Sequence, residues 1–146
     1  MKEDFLHYLW KYQLFDVSKL ISVHGQGVSI LKSGIHNHNT GPDFLNSKVE
    51  IANQLWFGNV EIHVKSSDWF KHKHEIDENY DAVILHVVWE YDSDIYLKNN
   101  TPITTLELKK FVSKDVLNNY HNLSTKKIRW IPCEKELHTI DSFLLN

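Results

Sequence analysis

The sequence predicts an α/β fold in which helices flank a mixed central β-sheet, and three segments carry this prediction. Residues 44–65 alternate apolar and polar side chains as a hairpin does, residues 82–89 form an apolar run rich in β-branched residues, and residues 3–15 repeat apolar side chains at helical intervals. The chain has 146 residues, of which 42% are hydrophobic, and this is enough to fill one core. We therefore expect a single domain over residues 1–146.

A helix and a short strand are the first predicted elements. Residues 3–15 form an amphipathic pattern, and the acidic side chains at its start suit the positive end of a helix dipole. The apolar residues within 25–34 lie between glycines and predict a strand that leaves a turn. Residues 35–42 consist of turn formers and predict a loop, which is where functional residues often lie.

The hairpin is predicted from two strands, residues 44–52 and 55–65, with a turn at Asn53-Gln54. Side chains alternate across a strand, so Glu61, His63 and Lys65 are expected on one face of the second strand. Three ionisable groups therefore share that face.

The remaining segments complete the predicted sheet. Residues 66–80 are polar and histidine-rich and predict a loop with one short helix over 67–73 at most, whereas the apolar run 82–89 predicts a strand in the centre of the sheet. Residues 102–108 predict another strand, and Ser113 is expected to cap a helix that ends near residue 123. The helical pattern after Cys133 has no glycine or proline to end it, so we expect the chain to be the N-terminal part of a longer protein.

Composition excludes several classes of protein. No apolar stretch is long enough to span a bilayer and the N-terminus lacks a secretory signal, so we expect a cytoplasmic protein without a membrane partner. The single cysteine, Cys133, excludes an intramolecular disulfide and a multi-cysteine zinc site. The net charge is −3 and Arg129 is the only arginine, so any contact with phosphate must rest on lysine, backbone amides or a metal.

Two acidic residues are the main candidates for chemistry. Asp43 stands at the entry of the first hairpin strand and Glu61 in the middle of the second, so the two carboxylates can lie side by side. Paired carboxylate oxygens suit Mg²⁺ or Mn²⁺, and a neighbouring Lys65 or His63 can orient or deprotonate a metal-bound water. The alternatives are turn chemistry for Asp43 and, for Glu61, a salt bridge with a lysine at position 65 or 48.

These residues resemble the motif of the PD-(D/E)XK nuclease superfamily, which is Pro-Asp, a spacer, and then an acid, any residue and lysine. Pro42-Asp43 and Glu61-Ile62-His63 match the motif, with histidine where the superfamily has lysine. The resemblance implies a restriction-endonuclease-like core that runs helix, three strands, helix and strand. It also implies that Asp43, Glu61 and a further acid, Glu3, bind the metal, and that DNA or RNA is the substrate.

A second resemblance covers nearly the whole chain. The resemblance rests on the following residues: Gly41-Pro42-Asp43-Phe44, Gly58-Asn59-Val60-Glu61-Ile62-His63, Ser66-Ser67-Asp68-Trp69, His72, His74, Tyr80 and Ile84-Leu85-His86-Val87-Val88. Together they resemble an uncharacterised bacterial protein family whose members are longer than this chain. That family has no established activity, so this resemblance implies relatives and no reaction.

The histidines leave two other functions open. His86 lies in the apolar run and is expected to be a hydrogen-bonded core residue that stands behind the acids. The pairs His36/His38 and His72/His74 have the spacing of a transition-metal site, which would make the protein a histidine-rich metalloprotein acting on a small molecule. The low positive charge and the histidine in place of lysine also fit a non-catalytic binding module.

Overall fold

The computed structural model describes residues 1–125, which form a mixed α/β structure. The chain divides into two compact units, residues 1–111 and residues 112–146. Compact units are not the same as independently folding domains, so the single domain over residues 1–146 stays a prediction. The helices and strands run in the order α1 (Glu3–Tyr12), β1 (Val28–Lys32), β2 (Ile35–His36), β3 (Phe44–Ile51), β4 (Gln54–Lys65), α2 (Asp68–Lys71), β5 (Val83–Glu90), β6 (Thr104–Glu107) and α3 (Lys114–Thr125).

The first unit is built on one six-stranded mixed sheet. Its strand order is β1-β3-β4-β5-β6, with the short β2 also paired to β3. The strands β1, β3 and β4 are antiparallel neighbours, whereas β4, β5 and β6 run parallel to one another. The structure confirms the predicted α/β class and the mixed sheet, and it places β5 between two neighbours, as its apolar sequence requires.

The hairpin turn differs by one residue from the prediction. Ile51 pairs with Gln54, so the two turn residues are Ala52 and Asn53 instead of Asn53 and Gln54. Both turn residues have positive φ, 51° and 65°, which is the geometry of the tight hairpin turn that matches the twist of the strands. The alternating pattern does not reveal this because an alanine with positive φ is uncommon.

The N-terminal helix ends at Tyr12, earlier than the predicted Phe15. Gln13 adopts the left-handed conformation, and its N–H reaches back to the carbonyl oxygens of Leu9 and Trp10. The buried face of α1 lies against β4 and consists of Phe5, Leu6, Tyr8, Leu9 and Trp10.

Gly58 lets β5 begin directly beside β4. A Cβ atom at this position would lie 2.5 Å from the carbonyl oxygen of Ala82 and 2.5 Å from Cγ2 of Ile84. Contacts this short require the neighbouring backbone to move, so glycine is needed where the two strands first meet. From there the parallel register pairs Glu61 with His86, which brings a buried acid and a buried histidine to the same level of the sheet.

The segment between β4 and β5 contains α2 and two short 3₁₀ turns, His74–Ile76 and Glu78–Tyr80. The helix covers four residues of the predicted range 67–73. This segment packs through Trp69, which is fully buried in a cluster with Tyr80, Val83, Ile95 and Ile103. The loop that carries His72 and His74 is therefore fixed to the core.

The last strand of the sheet is shorter than the predicted range 102–108, because β6 pairs with β5 only over Thr104–Glu107. In the second unit, Ser113 caps α3 as predicted, since its Oγ accepts a hydrogen bond from the N–H of Val116 at 3.2 Å. The helical pattern predicted after Cys133 lies outside the described residues. Over residues 1–125, no helix combines the length and the apolar character needed to cross a membrane.

Candidate metal centre

Asp43 and Glu61 lie side by side, held by two reciprocal hydrogen bonds. The N–H of Asp43 donates to Oε1 of Glu61 at 3.1 Å, and the N–H of Ile62 donates to Oδ2 of Asp43 at 2.8 Å. The contact arises because Phe44, the residue after Asp43, pairs with Val60, the residue before Glu61. The structure thus brings together the two acids that the sequence singled out.

The loop before β3 fixes the position of Asp43. The side-chain amide of Asn37 donates to the carbonyl oxygens of Thr40 and Pro42, and its backbone N–H donates to the carbonyl oxygen of Asp43 at 2.8 Å. Gly41 has a φ of 103°, which L side chains rarely adopt. The Gly-Pro-Asp sequence is therefore turn chemistry that also aims the carboxylate at Glu61.

The two carboxyl groups have opposite pKa shifts. Burial, followed by the charge of Asp43, raises the pKa of Glu61 to about 10. Burial acts in the same direction on Asp43, but the neighbouring His7, a hydrogen bond with the Glu61 side chain and the N–H of Ile62 outweigh it and lower the pKa of Asp43. Among the described residues, the ion pairs of both acids are with histidines only. A buried carboxyl pair without a lysine or arginine partner is the environment in which a bound cation offsets the repulsion.

The first candidate site consists of Glu3, His7 and Asp43, whose ligand atoms lie within 4.8 Å of one another. Nε2 of His7 lies 3.4 Å from Oδ2 of Asp43 and 4.0 Å from Oε1 of Glu3. Glu3, predicted as the further acid, therefore lies with Asp43. His7 was missed, although the spacing of positions 3 and 7 on a predicted helix places both side chains on one face.

The second candidate site consists of His63, His72 and His74, whose ring nitrogens also lie within 4.8 Å of one another. Nε2 of His63 lies 3.1 Å from Nδ1 of His72, and Nε2 of His74 lies 2.8 Å from Oε2 of Glu61. Oε2 of Glu61 also lies 3.4 Å from Nε2 of His63. Since Oε1 of Glu61 faces Asp43, this carboxyl group connects the two candidate sites.

His86 supports this second site from the neighbouring strand. It is fully buried, and its Nε2 lies 2.7 Å from Nδ1 of His63. This is the placement expected of a core histidine behind the acids, and its role toward a metal stays a prediction. The buried ring of Trp69 contacts both His74 and His86 edge-on, at 5.2 and 5.4 Å between ring centroids.

Lys65 is not brought to the acids. It is exposed, its charge helps to lower the pKa of Asp92, and no ion pair within residues 1–125 joins it to Asp43 or Glu61. The alternative partner of Glu61, Lys48, instead lies over the ring of Phe57. The two salt bridges considered for Glu61 are therefore wrong for the described residues, and its partners are histidines.

The other histidine pair, His36/His38, does not join the second site. The ring of His36 stacks on Phe44 at 4.7 Å between centroids and meets His7 edge-on at 5.2 Å. Burial lowers the pKa of His36 to about 4, so the ring is neutral at neutral pH. It forms part of the wall around Asp43.

Similarity to known proteins is limited to one protein family. The family model described as "Protein of unknown function (DUF2851)" matches residues 3–146. The chain belongs to the DUF2851 family. No curated protein and no solved structure matches this DUF2851 chain. The predicted membership of an uncharacterised family is confirmed, and the reaction has to be argued from the site itself.

Proposed function

We propose that this DUF2851 chain is a metal-dependent phosphodiesterase that cleaves DNA or RNA, with Asp43 and Glu61 as ligands of Mg²⁺ or Mn²⁺ and Glu3 as a further ligand. The observation that carries the proposal is the contact between Asp43 and Glu61. Asp43 directly precedes β3 and Glu61 lies on the neighbouring strand β4, and carboxylate oxygens are the protein ligands that these hard cations prefer.

The order of elements supports the same proposal. A helix, antiparallel strands, a short helix and a parallel strand follow one another from α1 to β5, which is the order of the PD-(D/E)XK core. Asp43, directly before β3, and Glu61, on the adjacent strand β4, are the residues that resemble the motif. The crossover helix α2 is short, and the histidines of the site follow it, His72 at its C-terminal cap and His74 in the first 3₁₀ turn.

The residues present suit hydrolysis of a phosphodiester. A bound divalent cation would lower the pKa of a coordinated water and offset the charge that builds on the phosphate. In such a hydrolysis the water would release a proton to solvent as its oxygen attacks phosphorus, the bond from phosphorus to one ester oxygen would break, and the leaving alkoxide would take up a proton from solvent. His7, whose pKa is raised by Asp43 against the opposing effect of burial, is placed to hold a proton beside the Asp43 carboxylate.

A cleavage assay with Asp43→Asn tests this function. Asparagine keeps an oxygen for the N–H of Ile62 but removes the charge, so cleavage of labelled single- and double-stranded DNA and RNA should fall roughly 10³-fold, as loss of several kcal/mol of metal binding requires. Chelation of the metal should have the same effect. The control is Asp81→Asn, an exposed aspartate outside the site, which should cleave normally.

Two results would overturn this proposal. Cleavage that persists in Asp43→Asn would remove the site from the reaction. Binding of nucleic acid without cleavage, in both Mg²⁺ and Mn²⁺, would make the protein a binding module.

A further inference from the structure

Beyond the carboxylate pair, we propose that His63, His72 and His74 form a second metal site, for a divalent transition metal of the Zn²⁺ class, and that Glu61 is a carboxylate shared between this site and Asp43. The histidine nitrogens are the expected ligands for such a metal, whereas Mg²⁺ prefers oxygen.

The distances between the polar atoms fit ligands gathered around one ion. Ligands about 2.0–2.1 Å from a tetrahedral metal are separated from one another by about 3.3 Å. The observed separations are 3.1 Å between His63 and His72, 2.8 Å between His74 and Glu61, and 3.4 Å between His63 and Glu61. Three nitrogens thus form a compact donor set, with an oxygen of Glu61 beside two of the three rings.

His74 is buried, with one ring nitrogen that has no partner within the described residues. The residue is 8% exposed, Nε2 lies 2.8 Å from Oε2 of Glu61, and Nδ1 has no hydrogen-bond partner. One face of the ring is stacked on Tyr80 at 3.7 Å between centroids, and Trp69 meets its edge. Burial of an imidazole is costly unless its nitrogens have partners, and a metal ion would supply one.

His86 orients the central ligand. When Nδ1 of His63 donates its proton to Nε2 of His86, Nε2 of His63 is left with its lone pair toward His72 and Glu61. Ligating histidines commonly hold their second nitrogen in this way. His72 is exposed, whereas His63 and His74 are buried, so the site opens to solvent on the side of His72.

The location of this site explains the departure from the nuclease motif, an argument that rests on the proposed function. His63 stands where the motif has its lysine, and Lys65 lies exposed beside Asp92. A divalent ion held by the three histidines would place positive charge next to Glu61. We infer that the second metal supplies the charge that a lysine supplies in the motif.

Spectroscopic titration with Co²⁺ and calorimetry with Zn²⁺ test the site independently of activity. The metal-free full chain should bind one equivalent of Zn²⁺ at this site and develop the visible absorption of Co²⁺ bound to nitrogen ligands. His72→Ala, an exposed position that leaves the core intact, should weaken Zn²⁺ binding at least 10-fold. The matched control is His24→Ala, an exposed histidine that pairs with Asp94 and should bind normally.

The outcomes separate this proposal from the proposed function. Asp43→Asn should retain the Co²⁺ absorption even though it loses cleavage, because Asp43 is not among the three histidine ligands. Absence of Zn²⁺ and Co²⁺ binding in the unmodified chain, or unchanged binding in His72→Ala, would overturn the histidine site. If the unmodified chain shows normal Co²⁺ absorption but cleaves no nucleic acid, only the proposed nuclease function would be overturned.

Discussion

Replacing Glu61 by glutamine is expected to make the metal-free protein more stable while abolishing its binding of Mn²⁺. Glu61 is buried, and burial together with the charge of Asp43 raises its pKa to about 10. At pH 7 the folded protein must hold a proton that the unfolded chain releases, which costs up to about 3 kcal/mol. Glutamine removes that cost, and its amide can donate to Nε2 of His74 while its oxygen still accepts from the N–H of Asp43.

The same substitution should change how stability depends on pH. Since the folded pKa of Glu61 lies above its unfolded value, the stability it contributes is present at low pH and is lost as pH rises toward about 10. Histidines with lowered pKa values act in the opposite direction, but only below about pH 6.5, where the unfolded chain binds their protons. Between pH 7 and 9 the free energy of unfolding should therefore fall in the unmodified protein and vary much less in Glu61→Gln.

Urea unfolding at several pH values, with and without Mn²⁺, measures both effects. Glu50→Gln is the matched control, because Glu50 lies on β3 opposite Leu55 and takes no part in the metal centre. A Glu61→Gln variant that is less stable than the unmodified protein at pH 7 and still binds Mn²⁺ would contradict the account of the carboxyl pair.

Truncating Trp69 to alanine is expected to cost about 3–5 kcal/mol of stability and to remove the histidine site. Trp69 is fully buried, its Nε1 donates to the carbonyl oxygen of Tyr96 at 3.1 Å, and its ring contacts His74 and His86. The cavity would release the segment that carries His74. Binding of Zn²⁺ should therefore fall together with stability.

Trp69→Phe and Trp56→Ala make this prediction specific. Phenylalanine refills most of the cavity without the hydrogen bond, so Trp69→Phe should lose less stability and keep measurable Zn²⁺ binding. Trp56 is 43% exposed, and its truncation should cost far less than that of Trp69. A Trp69→Ala variant with full Zn²⁺ affinity would show that the buried indole does not hold the histidine site together.

Sequence reasoning predicted the parts of the centre that depend on strand geometry. Alternation along β4 and hairpin pairing were enough to place Asp43 beside Glu61, because both rules act over a few residues. Register across a parallel pair is not encoded locally, so the contact of His86 with His63 was foreseen only in general terms. The exposed end of the same face, where Lys65 lies, could not be distinguished from the buried end by alternation alone.

The histidine site was beyond local patterns for a different reason. His72 and His74 lie in a segment whose path is set by the burial of Trp69 against residues from later in the chain, such as Ile95 and Ile103. The spacing of His72 and His74 identified these two residues as possible ligands, but it did not identify His63, the third histidine of the site. The helix end at Gln13 and the start of the hairpin turn at Ala52 were also missed because each depends on a left-handed residue that is not glycine.

Anomalous scattering from crystals grown with Mn²⁺ tests most directly whether Asp43 and Glu61 bind one cation. We expect a manganese peak within coordination distance of a carboxylate oxygen from each residue, and no such peak in Glu61→Gln. A manganese peak at another position would contradict this claim. So would the absence of a peak at saturating Mn²⁺ in crystals where each carboxyl group still accepts its backbone hydrogen bond.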